Sequence, residues 1–157
     1  MVRMNGTWLV ALVGLAIVVG CGGPARDPNR PATVAVTGTV TYNGSPVEGA
    51  TVTFVTDSKD GRGAVGKTDG SGRFSLTTFD AGDGAIPGSY KVGVAKVELV
   101  GVLSEEESNK YLERGENPPP PKERHLVPQK YNSAQNSGLV ADVKAEGGND
   151  FTFELTD

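Results

Sequence analysis

The sequence holds one cysteine and one histidine among its 157 residues, so a disulfide framework and a Cys/His zinc site are both excluded from a finished domain. A Cys–His catalytic pair would have to use both of these lone side chains. Positive charge is also short. Fifteen Lys and Arg face nineteen Asp and Glu, a formal net charge of −4, which lacks the basic footprint of a general nucleic-acid binder. No nucleic-acid partner is expected. No apolar run reaches the roughly 20 residues needed to cross a bilayer as a helix; the longest extends only from Trp8 to Val19. What the chain has in excess is Gly (22) and Pro (10), a level too high for a helical bundle and below that of a disordered chain. The length suits one ordinary domain with some accessory sequence.

The apolar run Trp8–Val19 follows a short positive start at Arg3, the pattern of a secretory signal. It ends Val18-Val19-Gly20-Cys21, followed by Gly22-Gly23-Pro24. This segment resembles a bacterial lipobox, in which aliphatic and small residues precede an invariant Cys. The resemblance implies that residues 1–20 are a lipoprotein signal peptide, cleaved between Gly20 and Cys21, and that the Cys21 thiol carries a diacylglycerol with fatty acylation of the new amino group. The residue types suit that chemistry: small Gly20 admits a peptidase, and only a thiol forms the thioether. The alternatives are an ordinary cleaved signal with an incidental Cys, or an uncleaved anchor. Cleavage would take the formal charge from −4 to −5, because Arg3 is the one charged residue removed. The expected location is a cell membrane or outer membrane, facing periplasm or exterior. Gly22, unlike the Asp retention signal of some bacteria, favours the outer one. Each buried CH₂ of lipid contributes about 0.8 kcal/mol, so two or three chains hold the protein durably.

Residues 21–33, the lipidated Cys and a Pro-studded, aperiodic stretch, form a tether that reaches at most roughly 40 Å when extended. From Val34 a period of two takes over, and 34–157 is expected to be an all-β domain. Val34, Val36, Val40 and Tyr42 share one strand face, with Thr37, Thr39 and Thr41 opposite. Asn43-Gly44 is a hairpin signal. Ala50, Val52 and Phe54 alternate with Thr51, Thr53 and Val55, and a weaker strand is expected near Ala64–Thr68. Asp69-Gly70-Ser71-Gly72 is a turn, followed by Phe74 and Leu76. Pro87-Gly88 predicts a type II turn before Tyr90, Val92 and Val94. Leu139, Ala141 and Val143, a turn at Gly147–Asp150, and Phe151, Phe153 and Leu155 complete the set. Short alternating strands with Gly-rich turns predict a sandwich or barrel.

The stretch from about 100 to 138 breaks this pattern. Ser104 and Glu107 fit a capping box, and a short helix is expected over Glu105–Arg114 with Gly115 as its stop. Pro118–Pro121 favours an extended, polyproline-like segment. Insertions of this length are often functional or mobile.

The segments Val36–Val40, Gly44–Val52, Thr68–Phe74 and Ile86–Val92 agree in order and spacing with the opening of carboxypeptidase regulatory-like domains. The resemblance covers about Val34 to Val97. It implies a transthyretin-like (prealbumin-like) β-sandwich serving as a structural or binding accessory module without catalysis. The later Val127-Pro128-Gln129-Lys130-Tyr131 with two final strands is similar to small Gly-rich lipoproteins of planctomycete-type bacteria.

Each candidate reactive arrangement competes with a plainer role. Asp57, Asp60 and Asp69 suggest calcium, but an EF-hand loop counted from Asp57 puts Thr68 where a bidentate Glu is needed, so turn formation explains them better. His125 has no Gly-x-Ser-x-Gly elbow to serve. Glu105, Glu106 and Glu107 offer paired carboxylates for glycoside chemistry, and also a favourable helix start. The Gly-rich stretches lack the Gly-Lys-Ser/Thr ending of a phosphate loop. Tyr42, Tyr90, Tyr111 and Tyr131 are available for stacking on a sugar or peptide, two of them on inward rows. No catalytic residue, metal or cofactor is therefore expected. The expected function is a lipid-anchored, non-catalytic envelope module meeting an envelope protein; the alternative is carbohydrate or small-ligand binding through 100–138.

Overall fold

The computed structural model describes residues 29–58 and 61–157. The chain divides into two units, Met1–Arg30 and Pro31–Asp157, and every strand and helix named below belongs to the second. The expected signal segment, the Gly20–Cys21 cleavage site and most of the tether lie outside the described residues.

Two sheets pack face to face. In the first, β1 (Thr37–Tyr42) is central. It runs parallel to β10 (Asp150–Leu155) on one side and antiparallel to β2 (Ser45–Pro46) and β5 (Arg73–Ser75) on the other. The second is antiparallel, in the order β4 (Ala64–Lys67), β3 (Thr51–Val55), β6 (Gly88–Ala95), β9 (Leu139–Val143). Val65 and Thr77 exchange backbone bonds of 2.9 and 2.8 Å, joining the sheets along one side. The described residues form an all-β sandwich carrying one short α-helix.

The alternation in the sequence has its physical cause in the core. Val36, Val40, Val52, Phe54, Leu76, Val92, Val94 and Leu155 are fully enclosed, and side chains of this size each contribute about 1.5–3 kcal/mol on burial. Phe54 occupies the centre, its ring 5.7–6.4 Å from those of Tyr90, Phe151, Phe153 and Phe74. Gly38 lies under this cluster. A Cβ there would strike the Phe151 carbonyl oxygen and the Phe74 ring, so the position excludes any side chain.

Turns follow their residues. Asn43 (φ 49°) and Gly44 (φ 80°) are both left-handed, the type I′ pattern that suits a two-residue hairpin. Buried Asn149 closes the β9–β10 connection: its side chain accepts from the Lys144 amide (2.9 Å) and donates to the Lys144 carbonyl (3.0 Å). The expected type II turn at Pro87-Gly88 is corrected. Gly88 has φ 152°, far from the +80° of such a turn, and is already the first residue of β6.

The stretch from 100 to 138 is not one insertion. β6 passes through Lys96 into β7 (Val97–Val100), which pairs antiparallel with β8 (Lys122–His125) as a two-stranded ribbon. Between them stands α1 (Glu105–Glu113), closed by Ser104 at its start. At its end the Gly115 and Glu116 amides bond to Leu112 and Tyr111, with Gly115 left-handed. No residue of 97–126 is buried. Residues 127–138 do the reverse and return to the sandwich, burying Val127, Tyr131 and Ala134. They lie across Gly93, whose missing side chain admits the backbone of Asn132 and Ala134.

The strand directions give the sandwich two ends. Val34 pairs with Ala85, just before β6 begins, so the chain enters at one end. The ribbon and helix leave from the other, after Ala95, eight residues or about 26 Å of strand away.

Candidate functional site

At the entry end, the outer face of the second sheet forms a groove of about 770 Å³, within the range of small-molecule sites. Strand register builds its floor. Val55, Lys91 and Val140 stand in one row across β3, β6 and β9, and Ser89 and Asp142 stand in the next. The segment after β3 supplies one wall, and Ile86 and Pro87 supply another. Apolar surface comes from Val55, Ile86, Pro87 and the exposed Val140.

The polar groups of the groove are paired with each other. Lys91 Nζ donates to Asp57 Oδ2 at 2.9 Å, tying the wall to the floor. Ser89 Oγ donates to Asp142 Oδ1 at 3.0 Å. Tyr90 turns inward. Its hydroxyl donates to the Ile86 carbonyl at 2.7 Å, and burial raises its pKa above the ordinary phenol value. Chemically the groove offers apolar walls around exposed, internally paired donors and acceptors.

The residues singled out from the sequence are spread over several elements. Cys21, Gly20 and Asp60 lie outside the described residues. Asp57 is the partner of Lys91, and Asp69 holds a turn. The Asp69 carboxylate accepts from Ser71 Oγ (2.7 Å), the Ser71 amide (2.9 Å) and the Arg73 amide (3.0 Å), which keep its pKa below the ordinary range. Glu107 completes the capping box, accepting from the Ser104 amide and then its hydroxyl, each at 2.9 Å, and those bonds lower its pKa. Glu106 pairs with Lys110 along the helix. His125 sits at the base of the ribbon, its Nδ1 3.0 Å from Asn132 Nδ2. Among the described residues, no three His, Cys, Asp or Glu side chains gather as a metal site. Tyr90 and Tyr131 are the buried tyrosines, while Tyr42 and Tyr111 are partly exposed.

The groove was not among the sequence expectations, which placed ligand binding on 100–138; none of those residues lines it. Its lining comes from three distant segments, and only the register of β3, β6 and β9 brings them together. The one signal available was the unexplained outward apolar residues Val55 and Val140.

No family model matches the chain, and no curated protein matches it. Among solved structures, the chain is similar to a 9R-lipoxygenase from Cyanothece at 13% identity and a TM-score of 0.39, over 87% of this chain. The chain spans 18% of the lipoxygenase's length. A likeness at this level carries no argument about activity.

Proposed function

We propose that this chain is a non-enzymatic, lipid-anchored protein of a bacterial cell envelope: Cys21 anchors it, residues 22–33 space it from the membrane, and the β-sandwich presents a binding surface. The observation that carries this reading is the lone cysteine, which stands where the apolar run ends, directly after Val18-Val19-Gly20. Resemblance of the strand and turn segments between Val34 and Val97 to carboxypeptidase regulatory-like domains supports an accessory module. Mass spectrometry of the mature N-terminus tests it. A diacylglyceryl-modified Cys21 is expected, together with release of a Cys21→Ala variant from washed membranes. Retention of residues 1–20, or an unmodified thiol, would overturn the anchor.

The groove favours a second reading, small-ligand or carbohydrate binding. Its test is a thermal-shift screen of sugars and small metabolites against the domain and a Val140→Glu variant. A stabilising ligand that the variant loses supports this reading, and no stabilisation across the panel removes it.

A further inference from the structure

The segment 97–126 is an arm outside the sandwich core. It contributes no buried residue, yet it is well formed, with a paired ribbon, a capped helix start and a closed helix end. A nine-residue helix is too short to persist in water on its own propensity. The arm also exposes large apolar side chains. Val97 and Leu99, the latter 59% exposed, lie on one ribbon face, and Val102 (65%) and Leu112 (58%) stand beyond it. Four apolar side chains this exposed, on a segment that buries none, leave apolar surface for a partner to cover.

Charge narrows the occupant. Residues 97–126 hold seven Glu against two Lys and two Arg. Three of those four cations are already used within the arm: Arg124 on Glu98 at 2.6 Å, Lys110 on Glu106 at 2.9 Å, and Arg114 on Glu116 at 3.3 Å. Glu105, Glu113 and Glu123 have no such pairing among the described residues. A second copy would bring the same acidic excess against it, and an interfacial helix bound to anionic lipid needs Lys and Arg on its polar face instead. A protein that surrounds an apolar floor with cations satisfies both the leucines and the glutamates. Position agrees, since the arm leaves the sandwich at the end opposite the chain's entry.

We infer that this arm docks into an apolar groove rimmed by Lys or Arg on a different envelope protein, with Leu99 and Leu112 as anchors and the unpaired glutamates fixing orientation. The inference rests on the envelope reading above and names the surface that reading leaves open.

Site-specific photocrosslinking of the full-length chain in its native cells tests it, with the photoreactive residue placed at 99, 112, 65 or 140 in turn. Val65 and Val140 are exposed apolar positions on the sandwich and serve as controls. Positions 99 and 112 are expected to give one common adduct with a protein of different sequence, absent from 65 and 140. With the photoreactive residue at 99, Leu112→Asp and the double change Glu105→Lys, Glu113→Lys should each lower the adduct at least tenfold. The melting temperature of the purified domain should not change. Adducts with a second copy or with lipid, equal adducts from 65 and 140, or none from the arm would overturn the inference. Membrane fractionation of the same cells separates the two readings: a soluble chain fails the anchor, whereas a membrane-bound chain without the adduct fails the arm alone.

Discussion

The hydroxyl of Tyr131 donates to the Thr156 carbonyl at 3.1 Å and accepts from the Thr156 amide at 3.2 Å. One side chain thus engages both backbone groups of the residue after β10 and pins the returning segment 127–138 to the C-terminal strand. Tyr131→Phe keeps the ring and removes both bonds. With Thr156 open to solvent, water replaces part of the loss, and a destabilisation of about 1 kcal/mol is expected. Tyr131→Ala also empties a buried site and should cost about 3–5 kcal/mol. Urea denaturation measures both, and equal losses would mean that the ring contributes nothing.

Gly38 makes the second prediction. The neighbours a methyl group would strike are a backbone carbonyl and a ring enclosed by the Phe54 cluster, and neither is the free end of a flexible chain. Gly38→Ala should therefore destabilise by about 3 kcal/mol, the upper range of overpacking. Gly44→Ala is the contrast, because only its left-handed φ opposes substitution and nothing stands near. Its expected cost is roughly 1 kcal/mol. Denaturation midpoints of the two variants give the ranking, and a larger loss at Gly44 would contradict the packing described.

Acid should loosen the Asp69 turn. The Ser71 hydroxyl, and then the Arg73 and Ser71 amides, hold the Asp69 pKa below its ordinary 3.8. The unfolded chain accordingly binds the proton more readily, so this carboxylate stabilises the fold fully above the unfolded pKa. That contribution fades as pH falls through 3.8 toward the lower folded value. Asp69→Asn should lower the melting temperature at neutral pH, and the gap from the parent protein should narrow steadily below about pH 4. Melting curves from pH 7 to 2.5 check this; a gap that stays constant would show that the charge is not involved.

The strands legible in the sequence are those whose alternation is enforced by the core. Val36 and Val40, Val52 and Phe54, and Phe151 and Phe153 each repeat at period two because one face meets the opposite sheet. The turn at Asn43-Gly44 and the cap at Ser104–Glu107 were legible because their chemistry is local. β8 was not. Lys122-Glu123-Arg124-His125 buries nothing, so no apolar period announces it, and its pairing rests on main-chain bonds and the Arg124–Glu98 contact. Tyr131 falls within the stretch read as an insertion for the opposite reason: it is buried in the core, and its hydroxyl bonds to Thr156, 25 residues away, a contact no local pattern announces. The groove is the least legible feature, because its floor exists only once Val55, Lys91 and Val140 are set side by side.

The arm supplies the last prediction, which separates local from global stability. Ser104 accepts the Glu107 amide through its hydroxyl and donates that hydroxyl to the Glu107 carboxylate, while its own amide reaches the same carboxylate. Ser104→Ala removes the side-chain half of this box and should destabilise α1 by about 1 kcal/mol. Because α1 buries none of its residues, that loss has no route to the core. Hydrogen exchange of the helix amides from Ser108 to Gly115 should accelerate several-fold, while the amides of β3 and β6 exchange at unchanged rates and the melting temperature stays within a degree or so. Equal acceleration in β3 and β6 would show that arm and sandwich unfold as one unit, and the arm would then be part of what holds the fold together.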